Sequence, residues 1–286
     1  MTKSLSLMLL LLLPFLAVQA KETGEFTLPK IQVIPIKDTR ADKQYELYIK
    51  LPEGYEKHQD KTYPVLYFTD AIWHVELLSA STEFLMEEVI LVGISWQKDI
   101  SEASKKEHGA HASRYRDYSI TKSSDPDRQA KYQFGQAGNH LAFIRNDVIK
   151  HIEKNYRTKP DSRSYFGYSA GGLFGAYILM TQPDTFKNYI LGSPSLWRDI
   201  PLLTELGDKA GLKHKNLNAN VFISYGTLEK ELGEHIREFT RLLKNKNDNS
   251  LSVNQPVIEG SHQTAFPMTG VRSMTWLSKL TKQEAE

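Results

Sequence analysis

Short apolar runs alternate with helical patterns along most of the chain. Residues 63–69 and 89–96 are continuously apolar over the length of a strand, which is typical of strands buried on both faces. Further strands are predicted at 31–37, 45–51, 164–168, 188–191, 220–225 and 251–258. Helices are predicted at 75–88, 139–155, 170–181, 201–206, 231–245 and 265–280. This alternation predicts an α/β fold with a mostly parallel central sheet and helices on both faces.

Residues 97–135 break the alternation. The segment is polar and charged, includes the turn sequence SSDPD, and has little periodicity. A connection of this length is usually either a functional loop or disordered.

The first twenty residues differ from the rest of the chain. Lys3 precedes an apolar run at 5–16, and the small residues Val18 and Ala20 lie at the positions that a signal peptidase recognises before its cleavage site. The run is shorter than the roughly 20 residues of a membrane span. We therefore expect a signal peptide over 1–20, with an uncleaved anchor as the alternative, and a single domain over 21–286. No second stretch reaches membrane length, so we expect no stable membrane insertion after cleavage and a secreted protein, with the bacterial periplasm as first choice.

Charge and cysteine content exclude several classes of protein. Lys and Arg number 36 against 34 Asp and Glu, a net charge of +2, which gives no reason to expect a nucleic-acid partner. Cysteine is absent, which excludes disulfides, a cysteine nucleophile and thiolate metal sites. The histidines show no convincing spacing for a metal site. We expect neither a metal nor a cofactor.

The strongest chemical signal is the pattern G-x-S-x-G at 167–171, centred on Ser169. It lies where a predicted strand ends and a predicted helix begins, which is the context of a nucleophile elbow. Glycines two residues before and after the serine let the strand and the helix pack closely. The N–H groups at the start of the helix favour negative charge that develops nearby. Ser169 is therefore predicted to be a nucleophile.

A serine hydroxyl needs a base to remove its proton. In this architecture the chain order is Ser, acid, His, and His262 alone lies between the last strand and the last helix. The loop after strand 220–225 offers Glu229 and Glu231 as the acid. Glu229 is preferred because it comes sooner after the strand, and a Ser–His dyad without an acid is the remaining alternative.

The oxyanion of the reaction needs two hydrogen-bond donors. The backbone N–H of Ala170, the residue after the nucleophile, is one candidate. The second should come from the loop after strand 63–69, where Ala71 and Ile72 are the candidates.

Several segments together resemble the putative esterase family, which includes esterase D, feruloyl esterases and siderophore trilactone esterases. YPVLYFTDA is similar to the family's oxyanion strand and loop, RYRDYSIT to its RxRDYTPT segment, FGYSAGGLFGAYILM to its elbow, GSPSLW to a pocket loop, and SYGTLEKE to its acid region. These segments occur in order over nearly the whole chain after residue 20. The resemblance is greatest to the bacterial branch with ferric-siderophore esterases, and it implies the α/β-hydrolase fold.

The resemblance also implies further site residues. It places the segment with Arg114 and Arg116 at the mouth of the active site, where two guanidinium groups could hold an anionic acyl group or a charged ferric chelate. A surface ion-pair cluster is the alternative for these arginines. Trp197, like Trp73, could line the pocket or belong to the core. Ala71 departs from the family, which commonly has glycine there, and alanine restricts the backbone more than glycine.

The sequence thus predicts a serine carboxylic ester hydrolase that acts through an acyl-enzyme on a small-molecule ester. The candidate substrates include siderophore-type lactones and aryl or short-chain esters. Acyl transfer to an alcohol would use the same acyl-enzyme and is an alternative. A binding protein that keeps the fold without catalysis is a third interpretation. The sequence does not predict the oligomeric state.

Overall fold

The computed structural model describes residues 30–211 and 216–283. Nine strands form the sheet: β1 (Ile31–Asp38), β2 (Lys43–Lys50), β3 (Tyr63–Phe68), β4 (Ile90–Ile94), β5 (Thr158–Tyr168), β6 (Asn188–Gly192), β7 (Ala219–Gly226), β8 (Leu251–Asn254) and β9 (Val257–Ile258). Ten α-helices accompany them in the described residues: α1 (Ala71–Leu85), α2 (Glu102–His108), α3 (Ser113–Asp117), α4 (Pro126–Tyr132), α5 (Ala137–Phe143), α6 (Lys150–Asn155), α7 (Ala170–Thr181), α8 (Ile200–Lys209), α9 (Lys230–Lys244) and α10 (Ala265–Gln283). A π-helical segment (Ile144–Ile149) joins α5 to α6.

The strand order is β1-β2-β4-β3-β5-β6-β7-β8, and β9 pairs with β7 beyond the end of β8. Strands β1, β2 and β4 pair antiparallel, and all later pairings are parallel. One apolar cluster, which includes α5, α6, α7 and α9, packs on one face of the sheet. A second cluster, which includes α1 and α10, packs on the other face. The predicted fold class, an α/β-hydrolase fold with helices on both faces, is confirmed.

Most predicted boundaries differ from the structure by a few residues, and three differences are instructive. Helix α1 begins four residues earlier than the apolar periodicity indicated, directly after β3 and Asp70. Strand β5 begins at Thr158, earlier than predicted. The apolar pattern did not indicate its first half, because that half is polar and not buried. The strand predicted over 251–258 is divided into β8 and β9. Pro256 lies between them and has no N–H to donate to the ladder.

The segment 97–135, predicted to be an irregular loop, contains the short helices α2, α3 and α4. Ser101 and Asp125 cap α2 and α4 by accepting hydrogen bonds from backbone N–H groups. Neither helix has a buried residue, so neither shows the apolar period by which a helix is recognised in sequence.

The predicted signal peptide over 1–20 lies outside the described residues. Across residues 30–211 and 216–283, none of the helices combines the length and the apolar character needed to cross a membrane.

Candidate active site

Ser169 lies in the sharp turn between β5 and α7. Its backbone has φ 58° and ψ −118°, a conformation that non-glycine residues rarely adopt. Close packing holds the turn: a Cβ on Gly167 would lie 2.2 Å from the carbonyl oxygen of Gly171. Such backbone strain persists only where the surroundings enforce it, and it is common at functional sites. The turn therefore presents the Ser169 hydroxyl at the amino terminus of α7.

His262 lies in the loop between β9 and α10, and its Nδ1 is 2.6 Å from Oε1 of Glu229. Glu229 lies in the short loop between β7 and α9 and is the last residue before the helix. Its other oxygen, Oε2, accepts hydrogen bonds from the Gly226 N–H at 2.6 Å and from the Ser193 hydroxyl at 2.7 Å. The structure thus brings Glu229 to the histidine, whereas Glu231 is exposed on the first turn of α9.

The hydrogen bonds around Glu229 favour its charged form. Burial opposes ionisation of the carboxyl group, but the hydrogen bonds from His262, Gly226 and Ser193 outweigh burial and lower its pKa. Glu229 can therefore stay ionised beside the histidine and stabilise an imidazolium.

Two depressions meet at Ser169 and His262. The first, which we call the Trp73 cleft, has a volume of about 450 Å³ and is also lined by Trp73, His74, Arg114, Tyr168 and Phe266. The second, the Trp197 cleft, has a volume of about 690 Å³ and is also lined by Ser195, Trp197 and Leu228. Trp197 is 46% exposed, so it forms a wall of the site and not part of the core.

The two predicted oxyanion donors open two neighbouring helices. Ala170 is the first residue of α7 and Ala71 the first residue of α1. The start of α7 packs against the loop that precedes α1, since a Cβ on Gly171 would lie 2.5 Å from Thr69 Oγ1. In this loop, Asp70 has the left-handed backbone conformation, with φ 55°, and Ala71 does not. Alanine at position 71 is helical and causes no strain there.

Arg114 is fixed at the Trp73 cleft by a buried carboxylate. Its Nε and Nη2 donate to the two oxygens of Asp70 at 2.6 Å and 3.0 Å, and the guanidinium lies over the ring of Trp73 at 4.8 Å. Burial disfavours the charge, but Asp70 outweighs burial and raises the pKa of Arg114. Arg116 does not line either cleft. Its guanidinium pairs with Asp117 and donates to the hydroxyl of Tyr45.

Residues 39–285 match the family described as "Putative esterase". The chain belongs to this esterase family. The resemblance found in the sequence is therefore confirmed, and so is the class of enzyme, a carboxylic ester hydrolase.

Relatives of this esterase, and solved structures similar to it, cover most of the chain. Ferri-bacillibactin esterase BesA of Bacillus subtilis (strain 168) is 25% identical over 239 residues, which are 77% of this chain and 78% of that protein. The crystal structure of BES protein from Bacillus cereus superimposes with a TM-score of 0.74 at 23% identity, over 90% of this chain and 99% of that one. An IroE-like serine hydrolase from Shewanella oneidensis gives a TM-score of 0.71 at 22% identity, over 88% and 80% of the two chains.

Sequence reasoning overlooked the supporting part that two serines play in the esterase site. Ser193 is fully buried, has φ 37°, and donates its hydroxyl proton to Glu229. Its Oγ also lies 3.0 Å from the hydroxyl oxygen of Tyr168. The Tyr168 hydroxyl donates to the backbone carbonyl of His262. Ser195 Oγ lies 3.3 Å from Ser169 Oγ. Both belong to the segment GSPSLW, which the resemblance indicated only as a pocket loop.

The described residues offer no site for a metal ion. In the ranges 30–211 and 216–283, no group of three or more His, Cys, Asp or Glu side chains is arranged to hold one.

Proposed function

We propose that this esterase cleaves its substrate through a covalent acyl-enzyme on Ser169, with His262 as the base and Glu229 as the acid that orients it. The observation that carries the proposal is the 2.6 Å hydrogen bond between His262 Nδ1 and Glu229, in a site that Ser169 also lines. Because Nδ1 is held by the carboxylate, Nε2 is the nitrogen left to take a proton.

The reaction proceeds in two steps, acylation of Ser169 and hydrolysis of the acyl-enzyme. Rotation of the Ser169 side chain moves its hydroxyl from Ser195 toward His262, which takes the proton as the oxygen attacks the ester carbonyl. The oxyanion is stabilised by the N–H groups of Ala170 and Ala71. His262 then protonates the departing alcohol. Water, deprotonated by the same imidazole, releases the acid and restores the serine.

Variants of two serines test the nucleophile. Ser169→Ala should reduce turnover of p-nitrophenyl esters by at least about a thousandfold, because the acyl-enzyme cannot form. Ser252→Ala, an exposed serine on β8, is the matched control. Substantial hydrolysis by a folded Ser169→Ala protein would refute the mechanism.

For the substrate, we propose a siderophore-type ester that carries anionic or metal-chelating groups. The relative from Bacillus subtilis is named a ferri-bacillibactin esterase, and the one from Aspergillus fumigatus a siderophore triacetylfusarinine C esterase. Arg114 supports the same class. Asp70 occupies its Nε and Nη2, which leaves Nη1 for an anionic group in the Trp73 cleft.

Two arginine variants and a substrate panel test this class. We expect catecholate trilactones, with or without iron, to be cleaved with a higher kcat/KM than neutral short-chain esters. Arg114→Lys should raise KM for anionic esters about tenfold more than for neutral ones, because lysine lacks the guanidinium fork. Arg116→Lys is the matched control, since its side chain lies outside both clefts. Equal effects of Arg114→Lys on anionic and neutral esters would reject the role of Arg114.

We further propose that the chain is exported to the periplasm and cleaved after Ala20, which leaves 21–286 as a single mature domain. The charged start, the apolar run and the small residues before position 21 support this proposal. Amino-terminal sequencing of protein recovered from a periplasmic extract should begin at Lys21. An intact amino terminus in membrane fractions would indicate the anchor instead.

A further inference from the structure

His74 is a buried histidine that the proposed mechanism does not use. It lies in the first turns of α1 and is 4% exposed. Its ring packs edge-on against Phe166, with 5.5 Å between the centroids, and tilted by 32° against Phe266, with 4.9 Å between the centroids. The two aromatic rings fix the imidazole in one orientation.

The hydrogen bond of His74 determines which ring nitrogen carries the proton. Nδ1 lies 2.9 Å from the backbone carbonyl of Thr69, and a carbonyl can only accept. Nδ1 therefore carries a hydrogen. Burial, which outweighs the opposing effects of Asp70 and of the Thr69 hydrogen bond, lowers the pKa of His74. The ring is thus neutral at neutral pH, and Nε2 has a free lone pair.

Nε2 of His74 has no protein partner in the described ranges. Among residues 30–211 and 216–283, the hydrogen bond of this side chain is the one from Nδ1. The residue nevertheless lines the Trp73 cleft together with Ser169 and His262. A lone pair at the wall of this cleft can accept a hydrogen bond from a donor on a bound ligand.

We propose that His74 Nε2 is a specificity determinant of the esterase, accepting a hydrogen bond from a hydroxyl or amide N–H on the part of the substrate that occupies the Trp73 cleft. The inference rests on the proposed function, since it concerns the same Ser169 site. It assigns the substrate a class: an ester with a hydrogen-bond donor near the scissile carbonyl. An analogue whose donor is capped by a methyl group both lacks the donor and crowds the imidazole, so the cleft selects against it.

Matched pairs of esters test the assignment. Each pair has a free phenolic hydroxyl or its methyl ether, in one series on the acid part and in the other on the alcohol part. In at least one series, wild-type protein should prefer the free hydroxyl by about tenfold or more in kcat/KM, the effect of one hydrogen bond. His74→Phe should reduce this ratio to about one, because phenylalanine keeps the packing and removes the acceptor.

Three further variants make the result specific. His74→Gln should retain most of the preference, since its amide oxygen can stand where Nε2 stood. If His74→Phe does not fold, His74→Asn replaces it, because the shorter amide can replace Nδ1 only and should lose the preference. His140→Phe is the matched control: His140 is also buried among aromatic rings, but it lines neither cleft, and the ratio should not change.

The outcomes separate this inference from the proposed function. An unchanged ratio in His74→Phe, or in His74→Asn where that variant replaces it, would overturn the role of His74, as would the absence of any preference in wild-type protein. Either result leaves the esterase mechanism intact. Hydrolysis that survives in Ser169→Ala would refute the mechanism whatever the ratio.

Discussion

Glu229 accepts hydrogen bonds from three separate parts of the chain: His262 before α10, Gly226 at the end of β7 and Ser193 after β6. The side chain is 8% exposed, so these donors replace water around the carboxylate. A carboxylate held in this way orients the imidazole with little freedom to move. The geometry around this single residue holds Nδ1 of His262 at the carboxylate and leaves Nε2 as the nitrogen that can take a proton.

Glu229→Gln should lower kcat by about a hundredfold or more, because a neutral amide stabilises the imidazolium less and permits the wrong tautomer. Glu231→Gln, a matched change on the next turn, should alter kcat by less than about threefold, since its side chain is exposed. Steady-state kinetics of both variants decide between the two glutamates. Similar losses in both, or in neither, would contradict the assignment.

The lowered pKa of Glu229 also predicts a pH dependence of stability. A carboxyl group with a lower pKa in the folded state stabilises the fold fully above its ordinary pKa, here 4.5, and this contribution disappears as pH falls through the folded value. The difference in unfolding free energy between wild type and Glu229→Gln should therefore shrink between pH 7 and pH 3. Urea unfolding at several pH values measures it. A difference that grows on acidification would have the wrong sign.

At the scale of elements, the site depends on how closely β5 and α7 meet. Gly167 and Gly171 allow the carbonyl of one to approach the backbone of the other, and Ser169 lies between them in a strained conformation. The same edge of the sheet supplies the start of α1 and the loops after β6, β7 and β9. Loops at the carboxyl ends of the strands thus bring together residues from distant parts of the sequence.

Gly167→Ala should destabilise the protein by about 3 kcal/mol and remove most activity, because its Cβ would meet backbone atoms that cannot move independently. Gly138→Ala is the control: the residue is exposed on α5, where alanine favours the helix, and its Cβ would meet only the terminal hydroxyl of the Tyr177 side chain, at 3.0 Å. Thermal unfolding and ester hydrolysis measure the two effects. Equal stability of the two variants would show that the turn is not tightly packed.

At the scale of the whole molecule, the segment 97–135 is attached to the α/β fold beside Ser169. Arg114 from this segment pairs with Asp70, which is fully buried and also accepts from the Trp96 indole at 2.6 Å. The rings of Trp73 and Trp96 are 4.7 Å apart at this junction. The segment therefore forms one wall of the Trp73 cleft, and its packing against the α/β fold determines the shape of that cleft.

Asp70→Asn should destabilise the protein by about 3 kcal/mol, since it leaves a buried guanidinium without its counter-charge. Glu205→Gln removes an exposed ion pair with Lys209 and should change stability by less than about 0.5 kcal/mol. Limited trypsinolysis of the first variant should become faster at Lys105 and Lys122 within the segment. Equal rates of trypsin cleavage in both variants would show that the ion pair between Asp70 and Arg114 does not hold the segment 97–135 in place.

The sequence predicted the parts of this molecule that leave a local pattern. Buried strands such as β3 and β4 are continuous apolar runs, and the elbow has its glycines at fixed spacing around Ser169. The roles of Ser193 and Ser195 could not be predicted, because they depend on contacts between loops far apart in sequence. The same holds for Arg114 and Arg116. They are two residues apart and similar in sequence context, yet only the tertiary fold directs one to the cleft and the other to Asp117.

Labelling with a fluorophosphonate probe tests the central claim most directly. Trypsin should release Ser169 on a peptide covering 164–187 and the neighbouring Ser193 and Ser195 on a separate peptide covering 188–198. We expect one probe per molecule, on Ser169, with loss of ester hydrolysis in proportion to labelling and no labelling in His262→Ala. A probe found on the second peptide, or full hydrolytic activity after Ser169 is labelled, would contradict the account.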